Sequence, residues 1–202
     1  HKLDSCIIRR ICEDYREATE KKEPVVTVSF NLSRLDFQLC DMHEVVEQAI
    51  RSNRVPREAL RVEITESMME NDEERMHDVI NRFWERGFRV WMDDFGSGYS
   101  SLNVLKDYRF DTLKIDMVFL RNFDARSREI VKSVVDMAKR IGVNTLAEEV
   151  ETEEHFEFLK NIGCEKAQGY YIGKPMPYRE CREYLAKRGF RMESPSKRQY
   201  YH

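Results

Sequence analysis

The stretch Arg89-Val90-Trp91-Met92-Asp93-Asp94-Phe95-Gly96-Ser97-Gly98-Tyr99-Ser100-Ser101 decides how the chain is read. An apolar run ends in two adjacent carboxylates and passes into a loop with two glycines. In a regular strand neighbouring side chains point to opposite faces. Asp93 and Asp94 therefore converge on one point only where the strand ends. Two anions held close repel unless a proton or a cation lies between them. A solvated turn would explain the motif by itself, since Asp and Gly are favoured in turns. A metal site is the alternative, and the surrounding chain has to choose between them.

Working outward, strands and helices alternate. Leu3, Ile7, Ile8, Ile11, Cys12 and Tyr15 have helical spacing, and "EKKEP" breaks the pattern. In Val25–Ser33, Val26, Val28, Phe30 and Leu32 share one face, and Thr27, Ser29, Asn31 and Ser33 the other, as in a half-buried strand. Asp41 caps a helix predicted over 42–52. Then come a strand (60–66), a helix (70–86) stopped by Gly87, the "FRVWMD" strand, and a short helix (101–107). The "DTLKID" strand precedes a helix (127–141) stopped by Gly142. "VNTLAEE", a helix (153–162) stopped by Gly163, the strand "KAQGYYIG" and a helix (178–188) complete the series. Such alternation predicts an α/β fold with a parallel sheet. Six strands in 202 residues fit an open sheet, or a closed barrel short of about two strands, because eight strand–helix units need roughly 250 residues.

Each strand carries a polar residue near its C-terminal end: Asn31, Glu63, Asp93, Lys114, Glu148 and Gln168. That end is where parallel α/β folds bind ligands. Parity puts Lys114 and Asp116 on one face, with Leu113 and Ile115 on the other, and sets Glu66 apart from Glu63. One strand-end polar residue is ordinarily a cap or a loop hydrogen bond. Six repeating the pattern favour a site. Glu, Asp and Asn offer hard oxygen ligands that suit Mg²⁺ or Mn²⁺ better than zinc. The Asp–Asp pair allows two such ions close together, an arrangement suited to phosphate-ester cleavage. Lys114 then orients water or neutralises developing charge, beside a loop given backbone freedom by Gly96 and Gly98.

Composition narrows the classes. The chain is 41% hydrophobic and 35% charged, with a formal net charge of only −3. It is rich enough in apolar residues to fold and too evenly charged to argue for a nucleic-acid polymer or a membrane surface. No run approaches the roughly 20 apolar residues of a membrane span. The five cysteines form no CxxC pair, as expected of a reduced cytoplasmic protein.

The motifs "FNLS", "EITES", "DDFGSGYSSL", "LKID", "AEEVET" and "QGYYIGKPMP", in this order, resemble the EAL domain family of bacterial cyclic di-GMP phosphodiesterases. The resemblance implies a TIM-like (β/α)8 barrel whose first strand runs against the others, with roughly the first two strands missing from this chain. It implies that Asn31, Glu63 and Asp93 are metal ligands and that Asp94 serves a second ion. It further implies that Lys114 contacts the attacking water, that Glu148 acts as base or organises the metal site, and that Gln168 lines the site. Glu66 would anchor the loop after the Asp pair. The implied reaction is hydrolysis of one phosphodiester of cyclic di-GMP to linear pGpG. The implied setting is a multidomain signalling protein beside sensor or GGDEF domains, often as a homodimer.

Two departures stand out. The Glu-Ala-Leu signature belongs to an earlier strand, and "REAL" at 57–60 is a coincidence of letters. With that ligand strand missing, impaired turnover is expected of this chain. Glu149 also replaces the glycine of the family's "AEGVET"; parity points it away from Glu148, toward the outer helices or a turn, and the alternative is that it crowds or repels an anionic substrate. The expected organisation is one partial EAL-type domain over 1–190 and a surface tail over 191–202. Two other readings stay open, a catalytically inactive cyclic di-GMP receptor and a metal-independent glycosidase using paired carboxylates.

Overall fold

The computed structural model describes residues 1–69, 73–96, 101–116 and 123–189. The order of elements is α1 (Lys2–Glu20), β1 (Val28–Leu32), α2 (Arg34–Leu39), α3 (Met42–Asn53), β2 (Leu60–Thr65), α4 (Glu73–Glu85) and β3 (Arg89–Phe95). It continues with α5 (Ser101–Asp107), β4 (Thr112–Ile115), α6 (Ala125–Arg140), β5 (Asn144–Ala147), α7 (Glu153–Ile162), β6 (Lys166–Ala167) and α8 (Tyr178–Lys187). The six strands form one sheet in chain order. The pairs β3/β4, β4/β5 and β5/β6 are parallel. The expected tail over 191–202 and the glycine loop at 97–100 lie outside the described residues.

Residues cluster into two compact units interleaved along the chain. The first holds His1–Val62, Arg82–Arg89 and the described residues from Pro175. Here α1 packs on α3 and β1, burying Ile8 and Cys12 of its apolar stripe. Asp41 caps α3 by accepting from the Glu44 N–H at 3.2 Å, as expected. Met42, Val46, Ile50, Leu60, Phe83 and Phe88 are buried, each contributing about 1.5–3 kcal/mol. Within this core, the buried Glu47 carboxylate accepts two hydrogen bonds from the Arg57 Nη2 at 2.8 and 3.0 Å. Helix α2 went unread in the sequence. The Asp36 carboxylate holds its start by accepting from the Ser33 N–H and hydroxyl, both at 2.6 Å.

The second unit, Glu63–Asn81 and Val90–Lys174, carries most of the strand ends of interest. Its core includes Ile115, Val131, Val135, Ala147, Val150 and Leu159, with Phe156 and Phe158 packed against it. Met68 and Met69 are buried as well. Asp111 aligns the starts of three strands. Its carboxylate accepts from the Val90 N–H at 2.9 Å, its own N–H donates to the Val90 carbonyl, and its carbonyl accepts from Asn144. Helices α6 and α7 are capped by Asp124 and Thr152, and α7 ends on Gly163 in the left-handed conformation (φ 74°).

Two expected strands differ. β6 is only Lys166–Ala167, far shorter than "KAQGYYIG". The Gly169 backbone passes so close to Val150 that a Cβ there would lie 2.2 Å from its nitrogen. The chain then turns, with Ile172 and Gly173 donating to the Gly169 carbonyl. β3, by contrast, does not end at the Asp pair but runs on to Phe95.

Candidate active site

The geometry of the Asp pair follows from an irregularity in β3. Register against β4 runs Trp91↔Thr112 and Met92↔Leu113, then shifts before Phe95↔Ile115. Asp94 adopts φ 56°, a left-handed conformation that Asp tolerates better than most residues. Its N–H donates to the Asp93 carboxylate at 3.0 Å. A bulge of this kind lets adjacent side chains aim together. The carboxylates converge inside a bulged strand, not at its end as the sequence predicts. One oxygen each from Asp93, Asp94 and Glu148 lies within 4.8 Å of the others. Oxygens at that separation can share a cation bound at about 2.1–2.5 Å.

Lys114 is the cation that faces this group. Its ammonium lies 2.7 Å from Glu63 Oε2, 2.7 Å from Asp93 Oδ1 and 3.1 Å from Glu148 Oε1. Lys114 and Glu63 are almost fully buried, with side chains 7% and 6% exposed. Burial alone would lower the lysine's pKa; hydrogen bonds to Asp93 and Glu63 and the charges of Glu63 and Glu148 outweigh it and hold the group above its ordinary value. Glu148 is the converse. Burial pushes its carboxyl up to about 7 against the opposing pull of Lys114, helped by the charges of Asp93 and Glu63. Asp94 is also raised, first by loss of water around it, then by Asp93 and Asp116. Closely packed carboxylates, with Glu148 and Asp94 raised, around the buried Lys114 ammonium suit proton transfer and cation binding.

The remaining expected residues divide. Glu66, fully buried in the turn after β2, accepts from the Gly96 N–H at 3.1 Å, at the threshold of the glycine loop. Asp116 follows directly on β4 and is half-buried. Gln168 follows β6 with its side chain exposed; its N–H donates to Ala147 at 2.8 Å and its carbonyl accepts from Val150 at 3.0 Å. Asn31 belongs to β1 of the first unit, exposed between buried Phe30 and Leu32. Strand parity predicts that Glu149 turns away from Glu148. It is exposed and left-handed, with φ 47°. Its backbone strain is invisible in the alternation of polar and apolar residues. The signal available beforehand was that glycine usually stands there in the resembling family.

The EAL domain family model matches residues 1–175. The chain belongs to the EAL domain family. It is similar to the cyclic di-GMP phosphodiesterase PdeB of Shewanella oneidensis, 34% identical over 152 residues, 74% of this chain and 18% of PdeB. It is also similar to the cyclic di-GMP phosphodiesterase NbdA of Pseudomonas aeruginosa, 29% identical over 194 residues, 95% of this chain and 24% of NbdA. Among solved structures, the phosphodiesterase PaMucR in complex with c-di-GMP is 29% identical with a TM-score of 0.81, covering 89% of this chain and 74% of that one. The chain spans about a fifth of the length of the curated relatives it matches. With six strands in chain order, parallel where their pairing is described, and this likeness, the EAL chain carries part of a TIM-like barrel. Among the described residues of the EAL chain, no helix is long and apolar enough to cross a membrane.

Proposed function

We propose that this EAL domain serves the hydrolysis of cyclic di-GMP to linear pGpG in a bacterial second-messenger system, within a larger cytoplasmic signalling protein. The observation that carries this reading is the buried Lys114 among Glu63, Asp93 and Glu148, with Asp94 brought alongside by the bulge. The all-oxygen donor set fits Mg²⁺ or Mn²⁺. Glu63, Asp93, Asp94 and Glu148 would hold the ions; the family resemblance adds Asn31, whose part rests on that resemblance alone. Bound divalent ions would supply polarisation of the phosphodiester and easier deprotonation of water. Lys114 would orient the attacking water and offset charge gathering on the phosphate. Glu148, 3.1 Å from the Lys114 ammonium, would accept the water's proton at its carboxylate. Glu66 would hold the base of the glycine loop through Gly96, and Gln168 and Asp116 would line the opening.

Sensor or GGDEF domains in the parent protein and a homodimer are the expected partners. The test is incubation of the purified chain and of the full-length parent with cyclic di-GMP and Mg²⁺ or Mn²⁺, following pGpG by chromatography. Turnover by the parent that EDTA and Asp93→Ala both abolish supports the reading, with slower turnover expected of the chain alone. Unchanged turnover by Asp93→Ala in the parent refutes the ligand assignment. A catalytically inactive receptor is the second reading, favoured by the exposed Glu149, which has no ion-pair partner among the described residues; it predicts cyclic di-GMP binding without pGpG.

A further inference from the structure

Glu149 directly follows Glu148 at the end of β5, and the backbone on either side of it is fixed. The Glu148 N–H donates to the Ile115 carbonyl at 3.2 Å, the Val150 N–H donates to Gln168 at 3.0 Å, and the Val150 carbonyl accepts from Tyr171 at 2.9 Å. Gly169 packs against Val150 too closely for any side chain. The chain spans these two anchors by turning left-handed at Glu149 (φ 47°), a conformation that costs a non-glycine residue stability. The side chain thus held is exposed and makes no hydrogen bond or ion pair among the described residues. Its Cα is about 3.8 Å from that of a site carboxylate. A carboxylate with no ion-pair partner among the described residues therefore directly follows a member of the acidic cluster.

We infer that Glu149 is an electrostatic selectivity residue of this site: its unpaired charge weakens binding of the dianionic dinucleotide and strengthens binding of divalent cations. This deepens, and rests on, the phosphodiesterase reading. The two ligands carry opposite charge, so one substitution must move their affinities in opposite directions. Through water, over a distance comparable to the Debye length, one charge acting on a doubly charged ligand changes affinity about two- to fivefold, and salt removes most of it.

The experiment compares wild type with Glu149→Gln, which removes charge and keeps the backbone strain, and Glu149→Gly, which removes both. Calorimetry at low and high salt measures Kd for cyclic di-GMP and, separately, for Mn²⁺. The expected result is two- to fivefold tighter cyclic di-GMP and correspondingly weaker Mn²⁺ in both variants at low salt, converging on wild type at high salt. Where turnover is measured at saturating Mn²⁺, KM for cyclic di-GMP falls. Glu149→Gly alone raises the melting temperature. Affinities of Glu149→Gln equal to wild type at low salt overturn the inference, as does tightening of both ligands together. If no variant binds cyclic di-GMP, the phosphodiesterase reading falls, and Mn²⁺ decides the charge role: weaker binding in Glu149→Gln upholds it, unchanged or absent binding overturns it.

Discussion

Replacing Lys114 by Met keeps most of the side-chain volume and removes only the ammonium. In the metal-free protein this strands Glu63 and Asp93, each 2.7 Å from the lost charge, and Glu148 at 3.1 Å. Each 2.7 Å pair is worth about 6 kcal/mol of gross Coulomb attraction at an effective dielectric of 20, most of it offset by the desolvation of the partners. Removing one partner leaves that desolvation uncompensated, which typically costs about 3–5 kcal/mol. We expect a loss of that size at pH 8. The sign with pH follows from linkage. Removing the lysine removes the pull that opposes burial at Glu148 and Asp94, whose carboxyls are already raised, so the penalty is absent at acid pH, where they are protonated, and grows as pH rises and they ionise in the unfolded chain. Lys114→Met should therefore lie close to wild type at pH 4–5 and far below it at pH 8. Millimolar Mn²⁺ should stabilise the variant more than wild type, because it neutralises a group that now has no cation. Urea unfolding followed by circular dichroism, at three pH values with and without Mn²⁺, measures all of this. A loss under about 1 kcal/mol at pH 8, or the same loss at both ends of the pH range, would show that packing and not charge explains the lysine.

Three further outcomes are expected. Metal binding should weaken as pH falls through about 7, where Glu148 takes up its proton, by roughly tenfold per unit below that point; pH-independent Mn²⁺ affinity between 5.5 and 8 contradicts the donor role of Glu148. Glu66→Ala should cost about 1–3 kcal/mol by leaving the Gly96 N–H unpaired and speed hydrogen exchange there, with Glu66→Gln largely restoring protection; unaltered exchange at Gly96 in the Ala variant removes the anchoring role. Gly169→Ala should cost about 3 kcal/mol or more through its 2.2 Å clash with Val150, whereas Gly142→Ala, with nothing within 4 Å of the added Cβ, should cost only about 1 kcal/mol; equal melting temperatures for the two variants contradict the close approach.

How much of the site the sequence reveals depends on whether the controlling interaction is local. Parity along a strand is local, so the separation of Glu63 from Glu66 and the placing of Lys114 on one face could be read directly. Helix ends are local too: Asp41 and Gly163 announce themselves by residue type. The bulge at Asp93–Asp94 is not local. The register of β3 against β4 shifts across the pair, a matter of pairing with another strand, and no pattern within "VWMDDF" specifies a left-handed aspartate. The collapse of β6 to two residues has the same origin, since it comes from Gly169 meeting Val150, a residue nineteen positions earlier in the chain. Helix α2 escaped for a different reason: Leu35 and Leu39 are about 60% exposed, so the amphipathic stripe that would have revealed it faces outward. The site thus combines side chains chosen by strand parity with backbone turns chosen by tertiary contact. Two of those turns, at Asp94 and Glu149, fall on acidic residues, whose left-handed backbones cost stability. That pairing of strain with charge is what a site selected for cation binding should show. It makes Glu149→Gly the informative substitution: a more stable protein that binds Mn²⁺ less well would show that the strain is kept for the charge it positions.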